Sequence, residues 1–281
     1  MTVETTHVRP TRDRTSGFAT AALRPALAAL TASVAAIPSA SLRRQLIRRI
    51  YDHDCELVTH TLGSRTYEAM TLDDVPFDFD PSARVEFEDL AGLMANTSLA
   101  FGVALMTPRQ LAYIFGLARR ADVRTAIEIG RYKGGATVVL AAAIAPDGTL
   151  WSVDDGSLEV MVSGRGASRP HDEQIRDVCT RMGLDARLIV GDSRTLELDT
   201  GPADLVLIDG DHRYEGVASD IERWGKRVRL GGDVLLDDAF PMGRYRVGCD
   251  EVGRAVREAV DEGTFELVRA VDRMAHLRRV R

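Results

Sequence analysis

The 281-residue chain has few cysteines and no long apolar run, and both absences narrow its class. The three cysteines are scattered without C-x-x-C spacing, so the sequence indicates neither a disulfide framework nor a zinc knuckle. The Ala- and Leu-rich stretch 21–40 follows several arginines, as in a signal peptide, but Arg24 and Pro25 interrupt it. Its unbroken apolar run is too short to span a bilayer. We therefore expect a cytoplasmic protein.

An excess of positive charge is also lacking. The 42 acidic and 36 basic residues give a formal net charge of −6, which argues against a nucleic-acid groove as the main surface. Apolar residues make up 45% of the chain, enough for the core of one large domain with an extension. We expect a homo-oligomer that binds neither nucleic acid nor a membrane.

The chain changes character along its length. Residues 1–16 have the composition of a disordered tail, and residues 17–100 form a predicted helical extension or lid. Within the extension, 73–81 is an acidic, turn-rich link with two prolines. Residues 101–281 form the predicted main domain.

Short apolar runs alternate with helical patterns through this main domain. The predicted strands are 126–129, 149–153, 186–190, 205–208 and 234–236, with closing strands at 265–268 and 275–278. The predicted helices are 136–144, 172–182, 217–228 and 248–262, and the pair Gly231-Gly232 is interpreted as a turn. This alternation is typical of a doubly wound, mainly parallel α/β sheet.

Acidic residues follow two neighbouring strands. Asp209 comes directly after 205–208, and Asp237 and Asp238 come after 234–236. The carboxyl ends of parallel strands meet at one edge of a sheet, where open α/β folds bind ligands. Gathered carboxylates raise each other's pKa unless a cation lies among them, so the pattern predicts a site for Mg²⁺ rather than Zn²⁺. The alternative is that each acid caps a helix.

A second polar strip follows the earlier strands. The first strand ends in a glycine-rich turn with Glu128, Gly130 and Gly134, whose spacing is not the dinucleotide fingerprint. Asp154 ends the next strand, at the position where a ribose diol is bound in such folds. The third strand is followed by Asp192-Ser193. Each residue alone could be a cap or a loop residue, but together they suit an adenosine moiety.

These motifs together resemble the class I S-adenosylmethionine-dependent methyltransferases over roughly residues 100–281. Within that class the chain is similar to the metal-dependent small-molecule O-methyltransferases of the catechol type and the bacterial sugar and macrolide type. The resemblance implies a seven-stranded Rossmann-like sheet with S-adenosylmethionine and Mg²⁺ as cofactors. It also implies the site residues: Met106, Glu128, Gly130 and Gly134 at the methionine end, Asp154 at the ribose, Asp192 and Ser193 near the adenine, and Asp209, Asp237 and Asp238 as metal ligands.

His212 follows Asp209 by three residues, where some antibiotic-sugar methyltransferases have their proposed base. With an unperturbed pKa of about 6.5, its imidazole would be available to take the acceptor's proton. In the competing interpretation, Asp209 or Asp211 takes the proton, or metal activation suffices, and His212 merely caps a helix.

The resemblance implies methyl transfer to a hydroxyl of a small sugar, polyol or phenol, such as a bacterial secondary metabolite. The main alternative is a non-catalytic subunit that binds S-adenosylmethionine or S-adenosylhomocysteine. An iron enzyme on the same scaffold is disfavoured because a 2-His-1-carboxylate set is absent from the sequence. A nicotinamide dehydrogenase is disfavoured by the glycine spacing.

Overall fold

The computed structural model describes residues 71–80, 82–97, 102–144, 148–157, 169–243, 245 and 248–281. The chain divides into two compact units, Met1–Leu62 and Gly63–Arg281. The predicted tail and the helical patterns of 21–70 lie outside the described residues. The domain limits therefore stay predictions.

A seven-stranded sheet organises the described part of the chain. Its strand order is β3-β2-β1-β4-β5-β7-β6, in which β1 to β5 are parallel and β7 is antiparallel to both of its neighbours. This arrangement confirms the predicted fold class. The strands are β1 Thr125–Ile129, β2 Thr149–Asp154, β3 Ala186–Val190, β4 Ala203–Ile208, β5 Val228–Leu236, β6 Phe265–Val271 and β7 Met274–Arg279.

Helices cover both faces of this sheet. They are α1 Ala91–Ala95, α2 Pro108–Ala118, α3 Gly135–Ile144, α4 His171–Arg181, α5 Tyr214–Arg223 and α6 Cys249–Asp261, with short 3₁₀ turns at Leu72–Asp74, Phe87–Leu90 and Gly225–Arg227. Two hydrophobic clusters result, and alternate residues of β4 contribute to different ones, as the period of two in a strand requires. Leu205 and Leu207 belong to one cluster, and Val206 and Ile208 belong to the other.

Helix α2 shows how local sequence positions the site. Pro108 is its first residue, where a missing N–H costs nothing and the fixed φ suits a helix. Thr107 caps it: the Thr107 hydroxyl accepts from the Gln110 backbone N–H at 3.0 Å, and the Gln110 side chain accepts from the Thr107 N–H at 2.9 Å. Gln110 is completely buried. This cap fixes the position of the Gln110 side-chain amide, which also contacts Asp237 at the end of β5.

The predicted turn at Gly231-Gly232 is wrong. Strand β5 begins at Val228, so both glycines lie inside it, and α5 ends at Arg223 rather than at 228. The pairing of β4 with β5 shifts register between Ala203 and Leu205, and a Cβ at Gly232 would lie 2.8 Å from the Asp204 carbonyl oxygen. The two glycines therefore permit β5 to approach β4 closely at a β-bulge. In the sequence, a pair of glycines at a bulge cannot be distinguished from a pair at a turn.

Within the described ranges, no helix is both long and apolar enough to cross a membrane. Of the predicted helical extension, the described residues 82–97 contain the 3₁₀ turn Phe87–Leu90 and the short helix α1.

Candidate active site

A cavity of about 660 Å³ opens at the carboxyl ends of β1, β2, β4 and β5. This is the edge at which open parallel sheets bind ligands. Nine of the residues predicted from the sequence line it: Met106, Gly130, Asp154, Asp192, Ser193, Asp209, His212, Asp237 and Asp238.

Gly130 allows two strand ends to approach closely inside this cavity. Its φ of +85° lies in the left-handed region, and a Cβ at this position would lie 2.2 Å from the Asp209 carbonyl oxygen. The Asp209 N–H donates to the Ile129 carbonyl at 2.8 Å, and the Gly130 N–H donates to the Val153 carbonyl at 2.8 Å. The ends of β1, β2 and β4 are thus joined, with bare backbone facing the cavity.

Backbone donors hold the Asp154 carboxylate in place. The Arg131 N–H donates to Oδ2 at 2.9 Å and the Gly156 N–H donates to Oδ1 at 2.8 Å. The Arg131 side chain is buried and pairs with Asp172 through both Nε and Nη2. Each Asp154 oxygen keeps acceptor capacity after these bonds, so the carboxylate is positioned to bind a diol.

Two predicted residues of the glycine-rich turn do not line the cavity. Glu128 is completely buried and accepts hydrogen bonds from Thr137 Oγ1 at 2.7 Å and Ser152 Oγ at 2.6 Å. Burial raises its pKa to about 7. At Gly134, a Cβ would lie 2.3 Å from the Ile175 side chain, so this glycine serves packing against α4. Both residues therefore stabilise the glycine-rich turn by contacts outside the cavity.

Asp220, which was not among the residues predicted from the sequence, lines the same cavity from α5. It is 1% exposed, and its Oδ1 has no hydrogen-bond partner among the described residues. Burial raises the pKa of Asp220 to about 6. In contrast, the neighbouring Asp192 forms an ion pair with Arg194, which lowers the pKa of Asp192 to about 2. Asp220 therefore offers an unused acceptor, whereas Asp192 is already paired.

His212 lies between two of the three predicted metal ligands. Its Nε2 is 3.4 Å from Asp209 Oδ1, and its Nδ1 is 3.2 Å from Asp238 Oδ2. The Asp209 contact, opposed by desolvation, raises the pKa of His212 to about 9. The value of about 6.5 expected from the sequence is therefore corrected upward, and the ring is mainly protonated at neutral pH.

The other two acids follow β5 directly. The Asp237 N–H donates to the Ile208 carbonyl at 3.1 Å, and the Gln110 amide donates to the Asp237 carboxylate in a short contact. Burial, with the nearby charge of Asp209, raises the pKa of Asp237 well above its ordinary value, and for the same reasons the pKa of Asp238 rises to about 6. Asp238 has a φ of +57°, a strained conformation of the kind found at functional sites.

A buried arginine, which the sequence analysis also missed, completes the cluster. Arg273 lies between β6 and β7, its side chain is 6% exposed, and its Nη2 pairs closely with Asp238 Oδ1. Its guanidinium lies 6.0 Å from the ring centroid of Tyr245, another lining residue. No sequence signal pointed to this residue, because it is far from the acids in the chain.

Three carboxylates are the ligand type that a hard divalent ion prefers. Their arrangement, however, does not fit one: in the part of the chain that the structure describes, no three His, Cys, Asp or Glu side chains form a metal-binding group. Oxygens of Asp209 and Asp238 contact His212, Asp238 also pairs with Arg273, and Asp237 accepts from Gln110. Magnesium therefore stays a prediction from the sequence, and no step below depends on it.

One family model matches part of this chain, and several solved structures are distantly similar to it. Residues 127–239 match a family model described as a methyltransferase domain. The solved O-methyltransferase NovP is 20% identical, covering 65% of this chain and 84% of its own, with a TM-score of 0.48. The O-methyltransferase TomG from Streptomyces achromogenes, involved in tomaymycin synthesis and solved with SAM, is 20% identical over 63% and 82%, with a TM-score of 0.47. An O-methyltransferase from Bacillus cereus, in complex with SAH, is 17% identical over 62% and 82%, with a TM-score of 0.45.

These solved structures are too distant to transfer an acceptor or a metal to this chain. The family match runs from within β1 to just past β5 and includes most, though not all, of the residues that line the cavity. This part of the chain is therefore similar to a methyltransferase domain, in agreement with the class that the sequence predicts.

Proposed function

We propose that this protein is a methyltransferase, which transfers the methyl group of S-adenosylmethionine to a hydroxyl oxygen of a small molecule. One observation carries the proposal: a single cavity holds a carboxylate fixed by backbone N–H groups at the end of β2 and a cluster of three acids with His212 at the ends of β4 and β5. The two halves suit a donor and an acceptor placed side by side, as an in-line transfer needs.

The donor half fits S-adenosylmethionine residue by residue. Bare backbone at Gly130, beside Met106, leaves room for the methionine end. Asp154, oriented by two backbone N–H groups, would accept hydrogen bonds from the ribose hydroxyls. Ser193 and the unpaired oxygen of Asp220 line the same cavity and would offer acceptors to an adenine amino group, and Asp192 would contribute through its remaining acceptor capacity.

When bound, S-adenosylmethionine supplies an electrophilic methyl group on its sulfonium sulfur. That methyl group would be transferred to the acceptor oxygen with S-adenosylhomocysteine as the leaving group, and the proton of the hydroxyl would have to pass to the protein. His212 is our proposed base and Asp209, which contacts its Nε2, would stabilise the imidazolium that forms. Because the pKa of His212 is about 9, only its neutral fraction acts at neutral pH. A carboxylate of the cluster remains the competing base.

Methyl-labelled S-adenosylmethionine tests the proposal directly. We expect label to appear on oxygen in at least one member of a panel of catechols, other phenols, sugars and polyols, and His212→Asn to reduce that transfer while cofactor binding persists. Binding without transfer to any panel member would instead support the non-catalytic subunit. A folded protein that binds neither the cofactor nor S-adenosylhomocysteine would contradict both.

A further inference from the structure

Arg273 is fixed in the cavity by its backbone as well as by its side chain. The adjacent Asp272 accepts a hydrogen bond from Thr107 Oγ1 at 2.6 Å, next to the cap of α2. The Arg273 carbonyl accepts from the Phe240 N–H at 2.9 Å, in the segment that follows β5. The arginine is therefore held from two sides and needs no rearrangement to reach the acids.

Charge balance in the cluster depends on this arginine. Three carboxylates at the ends of β4 and β5 repel one another unless cations compensate them. The described cations in contact with them are Arg273, paired with Asp238, and His212, between Asp209 and Asp238. A guanidinium stays charged at any working pH, whereas an imidazole does not. Arg273 is thus a permanent positive charge beside the three acids, where the sequence predicted a metal ion.

The guanidinium pairs with Asp238 through Nη2 and also interacts with the Cys249 thiol, whereas its buried Nε has no hydrogen-bond partner among the described residues. A buried N–H without a partner is costly and calls for an acceptor atom. Arg273 and His212 both line the cavity and both contact Asp238, so an acceptor oxygen that gives its proton to His212 would lie near the guanidinium.

We propose that Arg273 is the fixed cation of the acceptor site, in the place that the sequence assigned to a divalent ion, and that it stabilises the acceptor oxygen as its proton leaves. The proposal rests on the proposed methyl transfer. No electron or further reactant enters: the proton moves to the base, and the oxygen's charge is neutralised when its bond to the methyl carbon forms. A guanidinium held by protein contacts can provide such preorganised stabilisation.

Mn²⁺ binding to the full chain tests this proposal without a known acceptor. We expect electron paramagnetic resonance to show no tight Mn²⁺ site in the wild type at millimolar metal. Arg273→Met leaves the carboxylates uncompensated, and it should bind one Mn²⁺ at least about tenfold more tightly than the wild type, because a repelling unit charge is gone. Asp238→Asn in the Arg273→Met background should abolish that gain.

Two controls separate charge from damage to the fold. Arg273→Lys keeps the charge and should bind Mn²⁺ no better than the wild type. Arg257→Met removes an exposed arginine of α6 and should also change nothing. Thermal unfolding identifies variants that do not fold; if Arg273→Met is among them, Arg273→Gln replaces it with the same expectation.

Either of two results would overturn the proposal. One is stoichiometric Mn²⁺ binding by the wild type that Asp238→Asn removes, and the other is no gain in a folded Arg273→Met or Arg273→Gln protein. S-adenosylhomocysteine binding, measured on the same samples by calorimetry, keeps the two claims apart. Retained binding with an adverse metal result sinks only the role of Arg273, whereas a wild type that does not bind it sinks the proposed function.

Discussion

Arg273, between β6 and β7, forms an ion pair with Asp238 at the end of β5, and both side chains are at least nine-tenths buried. The two residues are 35 positions apart in the sequence, and no sequence pattern links them. Their contact changes the interpretation of the three acids, because a carboxylate paired with a guanidinium has less need of a metal ion. Removal of one partner of such a buried pair strongly destabilises the folded protein, because the other charge is left uncompensated.

The backbone contact at Gly130 gives a first prediction. Gly130→Ala should lower the free energy of unfolding by at least about 2 kcal/mol, because a left-handed φ and a carbonyl 2.2 Å from the new Cβ both oppose the side chain. Gly116→Ala is the matched control: this exposed glycine lies within α2 with open space around it, so the change should stabilise by up to about 1 kcal/mol. Urea denaturation of both variants measures the contrast, and equal effects would contradict it.

The buried Glu128 gives a pH prediction. Its pKa rises from 4.5 to about 7, so the folded state binds the proton more tightly than the unfolded state, and stability falls as the pH rises through this window. The loss from this residue is about 3 kcal/mol by pH 8. Glu128→Gln keeps an acceptor for Thr137 and Ser152 but cannot ionise. Its unfolding free energy should therefore fall less than that of the wild type between pH 5 and pH 8, and a parallel fall would refute the assignment.

The His212–Asp209 contact gives a third prediction. The pKa of His212, followed by imidazole NMR, should be about 9 in the wild type, and Asp209→Asn should lower it toward 6.5 because the main cause of the rise is gone. For a base with this pKa, methyl transfer should increase with pH up to about 9 and then level off. His212→Asn should lower kcat by roughly 10²- to 10⁴-fold and remove this rise. A wild-type midpoint near 6.5 would show that the contact is not formed in solution.

The fold was predictable because the apolar runs in the sequence coincide with most of the strands in the structure. Strand β3 has the predicted bounds, and β4 differs by two residues at its start. Strand β5 was predicted at a third of its true length, since Gly231 and Gly232 are as typical of a turn as of a bulge. Pairing with β4 decides between the turn and the bulge, and the local sequence carries no information about that pairing.

The acids of the site were predictable where they directly follow strands. Asp154, Asp209, Asp237 and Asp238 were found in this way, because topology alone brings strand ends together. Asp220 had a signal that was overlooked: it occupies the apolar face of α5, between Val217 and Ile221, where an acid is unusual. Arg273 had no such signal, because it lies in the turn between β6 and β7, far from the acids in the sequence.

Calorimetric titration with S-adenosylhomocysteine tests the central claim, that this cavity is the cofactor site, most directly. The wild type should bind one equivalent, and Asp154→Ala should weaken binding by about 1.5–3 kcal/mol because charge-assisted hydrogen bonds to the ribose are lost. Asp199→Ala, at an exposed aspartate that does not line the cavity, should bind like the wild type. Unchanged affinity in a folded Asp154→Ala protein, or no binding by the folded wild type, would contradict the account.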